Sequence, residues 1–150
     1  MPTVRIRTAL ECPAVQIDTG LGCHLEASMV RRGLDTLSPG PGTLVLVENV
    51  GNLVCPALFD LGETARVVLM SVTEGEDKPA KYPHLFRTAD LVVITKIDLL
   101  PWVPFDCDVC VGWARRVRPD APVLRVSART GEGMDGWLDR LREVRDAAGG

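Results

Sequence analysis

Apolar residues in this chain gather into short continuous runs, and the stretches between them carry helical spacing. Residues 13–17, 43–48, 66–72, 91–95 and 123–127 are rich in valine, leucine and isoleucine. Runs that stay apolar, without alternating polar positions, predict parallel strands covered on both faces. Between them, Leu25, Met29, Val30, Leu34 and Leu37 recur near the spacing of one helix face. Met134, Trp137, Leu138, Leu141 and Val144 do so more cleanly, and a further helix is expected through Val111, Trp113 and Ala114. Alternating strands and helices predict an α/β fold, a mostly parallel sheet with flanking helices. Ser38-Pro39-Gly40-Pro41-Gly42 should end the first helix, Pro101 and Pro104 mark a second loop, and residues 147–150 read as a frayed tail.

At 150 residues, 46% hydrophobic and 25% charged, the chain has the composition of one globular domain spanning 1–150. A net charge of -3 and a pI near 5.4 supply no electrostatic reason for nucleic acid or an anionic membrane as partner. No run approaches the roughly 18 apolar residues of a membrane span. Residues 1–11, with Arg5 and Arg7, are too polar for a signal peptide. A cytoplasmic location is therefore expected. Five cysteines, an odd number without small-scaffold spacing, then read as thiols or metal ligands in a reducing compartment.

Thr95-Lys96-Ile97-Asp98 closes the 91–95 run, where open α/β sheets place ligand loops. Guanine-nucleotide proteins usually carry Asn-Lys-x-Asp here: the carboxylate accepts from the guanine N1 and exocyclic amine, and the lysine stem covers the ring. Thr95 stands in place of the asparagine. Val126-Ser127-Ala128 follows the next strand and leads through Arg129-Thr130-Gly131-Glu132-Gly133 into a helix. It is similar to the Ser-Ala loop whose backbone N–H approaches guanine O6. Two such loops in order, about thirty residues apart, point to a guanine site built from Thr95, Lys96, Asp98, Ser127 and Ala128.

Cys23 and His24 follow Gly20-Leu21-Gly22 and are expected at a helix start, where unpaired N–H groups favour a thiolate. Thiolate and imidazole suit zinc or nickel. Cys55 lies thirty-two residues on, so spacing alone leaves a buried cysteine and a capping histidine as an open alternative. Glu48-Asn49-Val50-Gly51 occupies the place of an aspartate-x-x-glycine switch. Glu48 would orient water on Mg²⁺, Gly51 would sense the terminal phosphate, and Cys55 stands four residues away. Cys107-Asp108-Val109-Cys110 has no second pair and reads as structural.

Gly22-Cys23-His24-Leu25, the run from Glu48 to Pro56, Thr73-Glu74-Gly75-Glu76-Asp77-Lys78-Pro79, Lys81-Tyr82-Pro83 and Thr95-Lys96-Ile97-Asp98 together resemble the GTPases that deliver nickel during maturation of nickel-iron hydrogenases. The resemblance spans nearly the whole chain. It implies a P-loop NTPase domain of the SIMIBI type, using GTP and Mg²⁺, with metal release coupled to hydrolysis. It also implies Cys23, His24 and Cys55 as zinc or nickel ligands near a homodimer interface, leaving a fourth position for water or a partner's group. The partners it implies are a zinc-containing nickel-insertion protein and the hydrogenase large subunit. Urease accessory GTPases share the guanine loops but typically carry Cys-Pro-His. A non-enzymatic metal-binding or dimerisation module is the alternative of another class.

A Walker A loop needs Gly-Lys-Ser/Thr, and none of the three lysines, Lys78, Lys81 and Lys96, stands in one. The family carries that loop upstream of the segment matching residues 13–17. The chain is thus expected to be a partial G domain, truncated at its N-terminus, in which residues 43–48 form an unpaired sheet edge and GTP is not hydrolysed.

Overall fold

The computed structural model describes residues 5–6 and 12–148, in two compact units, Met1–Glu63 and Thr64–Gly150. Of the polar stretch 1–11, all but residues 5–6 lie outside these, as do Gly149 and Gly150 of the expected tail.

In the second unit the expected parallel sheet is present. Strands β3 (Val67–Ser71), β4 (Leu91–Thr95) and β5 (Val123–Arg125) lie in the order β3-β4-β5, with Val67 opposite Leu91 and Val92 opposite Val123. Strand β4 is central, and Leu91, Val92, Val93 and Ile94 are each at most 2% exposed. Side chains alternate across a strand, so its continuous apolar run needs cover on both faces. On one face, Leu91, Val93 and Val126 pack with Val67, Leu124, Met134 and Trp137, the last two from α5 (Met134–Ala148). On the other, Met70, the partner of Ile94, meets Cys110 of α4 (Cys107–Val117) through a sulfur-sulfur contact of 3.5 Å. The short helices α2 (Lys78–Lys81) and α3 (Pro83–Arg87) pack near α4 and had no periodic signature.

The helix of Val111, Trp113 and Ala114 is thus α4, started by Asp106, whose carboxylate accepts from the N–H groups of Asp108 and Val109. The cysteines 107 and 110 are buried in the core, as their lack of a second pair suggested.

In the first unit, β1 (Arg5–Ile6) and β2 (Val15–Gln16) form a two-residue antiparallel pair, and α1 spans Ala27–Leu37. Leu25 and Val30 are buried, and Gly33 lies where a β-carbon would approach Ile17 Cδ1 to 3.1 Å. Ser38 ends the helix in a left-handed conformation (φ 46°), returning its N–H to the Leu34 carbonyl.

Three expectations are corrected here. Residues 13–17 supply an antiparallel pair and not a parallel strand. Residues 43–48 form no strand, because no described segment offers them a ladder, and Leu46 and Val47 are exposed. There is accordingly no sheet edge at that position. Cys23 does not start a helix: α1 has Glu26 as its N-cap, and Cys23 sits in a bend before it. Among the described residues, no helix is long and apolar enough to cross a membrane.

The two-sided burial of β4 makes a quantitative prediction. Ile94→Ala, at a fully buried position, should cost about 2–5 kcal/mol in urea unfolding. Leu69→Ala, on β3 but 61% exposed, should change stability by less than about 0.5 kcal/mol.

Candidate functional site

The first unit brings together Cys23, His24 and Cys55, whose ligand atoms all lie within 4.8 Å of one another. Cys23 Sγ is 2.6 Å from Cys55 Sγ and 3.5 Å from His24 Nδ1, and both cysteines are free thiols. The hydrogen bond shared with Cys23, followed by desolvation, raises the Cys55 thiol above its ordinary pKa. The His24 ring stacks on Phe59 at 3.7 Å and 9°, which limits its rotation. Two thiols and an imidazole are a soft-to-borderline donor set that fits zinc or nickel. The 3.5 Å sulfur-nitrogen separation is close to the edge expected on a tetrahedral ion, whereas two thiolates on one ion stand about 3.8 Å apart. The donor set therefore fits a metal, with the thiol pair closer than a metal-bound pair.

No regular element joins the loops that carry these residues. Two asparagines do. Asn49 Oδ1 accepts from Leu25 N at 3.0 Å and from Val50 N at 2.8 Å. Asn52 Oδ1 accepts from Val54 N at 3.1 Å and Cys55 N at 2.9 Å, while its Nδ2 donates to the Cys23 carbonyl. Cys55 then opens a 3-10 turn, Cys55–Leu58, with Pro56 in its first positions. The sequence reading passed over both asparagines. Their only local signal is the Asn-x-x-Asn spacing around Gly51, and the partners through which they join the loops are 24 and 29 residues away.

Glu48 and Gly51 lie in the same segment, and both are exposed. A β-carbon on Gly51 would meet no heavy atom within 4 Å, so the space beside it is open.

The second unit carries the other constellation. After β4, Lys96 takes a left-handed conformation (φ 61°) and Asp98 enters a 3-10 turn, Ile97–Trp102. The Asp98 carboxylate accepts from Ser127 Oγ at 2.6 Å, and its second oxygen has Arg129 Nη1 at 3.9 Å. Ser127 is fully buried: its Oγ accepts from Thr130 N, its carbonyl from Gly131 N, and its N–H donates to the Glu132 carbonyl. Lys96 and Ala128 are exposed at the loop surfaces. Thr95 Oγ1 donates to the Met70 carbonyl across the sheet, fastening the start of one loop to β3. The aspartate and serine predicted from separate motifs thus meet directly. Lys78 and Lys81 do not join them, being paired with Glu74 and Asp77.

Gly133 fixes the second loop. At φ 72° a β-carbon there would stand 2.0 Å from the Arg125 carbonyl oxygen. Behind this loop lies a cavity of about 530 Å³ whose lining includes Ile97, Phe105, Cys107, Arg125 and Glu132. Burial holds the Cys107 thiol above its usual pKa and pushes Cys110 up to about 12.

The sequence profile of the CobW/HypB/UreG nucleotide-binding domain matches residues 4–125, running through both units. A hydrogenase maturation factor HypB from Azotobacter vinelandii is 60% identical over 141 residues, which are 94% of this chain and 46% of that protein. The crystal structure of HypB from Archaeoglobus fulgidus is similar with a TM-score of 0.80 and 45% identity, over 85% of this chain and 67% of the other. HypB from Helicobacter pylori, solved in complex with nickel, also has a TM-score of 0.80, with 34% identity over 87% of this chain and 62% of the other. The chain spans about half the length of the curated relatives it matches.

Two outcomes follow from the geometry. Gly133→Ala should destabilise the second unit by more than about 2 kcal/mol, by forcing the loop off Arg125. Gly131→Ala, where the added carbon meets nothing within 4 Å, should cost only about 1 kcal/mol for its left-handed backbone. Thermal unfolding of the two variants compares them. Alkylation of the native protein at neutral pH should modify Cys23 and spare Cys110 until denaturant is added.

Proposed function

We propose a function from one premise: the chain belongs to the CobW/HypB/UreG nucleotide-binding domain family. It supplies the base-recognition and metal-binding parts of a GTPase that acts in hydrogenase maturation, with nickel as the cargo. The observation that carries this reading is the convergence of the Cys23-His24 pair with Cys55, thirty-two residues on, in one group of ligand atoms within 4.8 Å. The similarity to a HypB solved with nickel supports the choice of metal, and zinc suits the same donors.

In this reading Asp98 accepts from guanine N1 and the exocyclic amine, and Ser127 holds the carboxylate in place by its 2.6 Å hydrogen bond. Adenine offers no matching donors, so the carboxylate selects the base. The Lys96 stem covers the ring, and Thr95 anchors the loop to the sheet. Because the Ser127 N–H is committed to Glu132, the contact to O6 falls to the Ala128 N–H. Glu48 would orient water on Mg²⁺, which offsets phosphate charge, and Gly51 would meet the terminal phosphate. Movement of Gly51 would then reach Cys55 four residues on, coupling hydrolysis to metal release.

The assembly is a homodimer strengthened by metal and nucleotide. Its partners are a zinc-containing nickel-insertion protein and the hydrogenase large subunit, in the cytoplasm, with neither nucleic acid nor membrane involved.

Two measurements test the reading. The chain should take up one equivalent of Ni²⁺ or Zn²⁺, lost in Cys23→Ala and Cys55→Ala and kept in Cys107→Ala. Loss in Cys107→Ala alone overturns the site. Residues 1–150 contain no Gly-Lys-Ser/Thr and should not hydrolyse GTP by themselves. Joined to a segment bearing a Walker A lysine, they should hydrolyse GTP in preference to ATP. Asp98→Asn should then lower guanine affinity by about 100-fold, the loss of charge-assisted hydrogen bonds. Hydrolysis by the 150 residues alone that vanished in Asp98→Asn would require a different phosphate site.

A further inference from the structure

We propose that Asn49 and Asn52 are positioning residues for metal uptake, clamping the two ligand-bearing loops into register before an ion arrives. The proposal rests on the metal-site reading above. The bonds that run between residues 23–25 and 49–55 are Asn52 Nδ2 to the Cys23 carbonyl, Leu25 N to Asn49 Oδ1, and the thiol contact itself. Without the amides, a Cys23–Cys55 approach would have to be assembled at the moment of binding, at a cost in ordering two loops.

The chemistry of each partner fixes what each asparagine must be. Asn49 uses only its oxygen, on two N–H donors. Asn52 uses both ends: its oxygen faces the N–H groups of Val54 and Cys55, and its nitrogen faces a carbonyl, which can only accept. An aspartate therefore reproduces the contacts at 49 but not at 52. The two amides also bracket Val50 and Gly51. Displacement of Gly51 consequently pulls on the backbone of Cys23 and Leu25 through side chains, as well as on Cys55 along the chain. One short segment is thus fastened to both halves of the donor set.

Ni²⁺ titration of the reduced chain against a competing chelator, followed by the near-ultraviolet thiolate-to-nickel band, tests the clamp. Asn52→Ala should retain one nickel with an affinity lower by about 10- to 100-fold, the usual effect of removing support behind a metal ligand, and with a shifted band. Asn49→Ala should weaken binding in the same direction, and Asn49→Asp should restore most of it. The retained single nickel with a shifted band in Asn52→Ala is the arm that a variant's failure to fold cannot imitate. Wild-type affinity and an unchanged band in both alanine variants would overturn the proposal, as would Asn49→Asp binding no better than Asn49→Ala. If the unsubstituted chain took up no nickel, the metal site itself would fall and the clamp with it, an outcome distinct from nickel uptake that ignores the asparagines.

Discussion

A main-chain N–H or carbonyl that joins neither a helix nor a ladder must find another partner, because leaving it unpaired away from water is costly. That requirement organises both candidate sites. The candidate site residues sit on irregular loops, and each loop is held by one residue that answers several groups at once. Asn52 serves three in the first unit. In the second, Ser127 places its hydroxyl between Asp98 and the Thr130 N–H, while its own backbone closes on Gly131 and Glu132. The candidate donors and acceptors are thereby fixed in position by their neighbours' side chains and main chain.

Within the second unit, the sheet supplies what the loops after β4 and β5 are fastened to. Strand β4 is apolar on both faces and sits between β3 and β5, so the loop that follows Thr95 starts from a buried, doubly paired strand. The Thr95 hydroxyl, bonded to the Met70 carbonyl, gives a structural use to the residue that replaces asparagine in the usual motif. The glycine at 133 has a comparable role at the other loop, where close approach to the Arg125 carbonyl excludes any side chain.

Much of this was legible in the sequence because it depends on local pattern. The continuous run 91–95 required cover on both faces and has it. The periodic residues of α5 lie in that helix, as do those of α1 except Leu25, which precedes its N-cap, and the donor residues Cys23, His24 and Cys55, like Asp98 and Ser127, meet in space. Most of what escaped detection depends on partners distant along the chain. The apolar run 43–48 has the composition of a strand but no described ladder to join. Cys23 falls short of α1 because Glu26, not the glycine-rich turn, begins the helix. The asparagines 49 and 52 carry no periodic or compositional mark, and only their long-range hydrogen bonds reveal them.

The order β3-β4-β5 has a kinetic consequence. Each strand pairs with the one that precedes it in the chain, so Val67 waits only for Leu91, and Val92 only for Val123. Loop-closure entropy rises slowly with length, and parallel pairing is slow chiefly when distant segments must meet. A sheet whose neighbours in space are neighbours in sequence can be extended strand by strand in the direction of synthesis. The buried central strand then acquires its first edge before its second has left the ribosome, and α5, which follows β5 in the chain, closes the remaining apolar face.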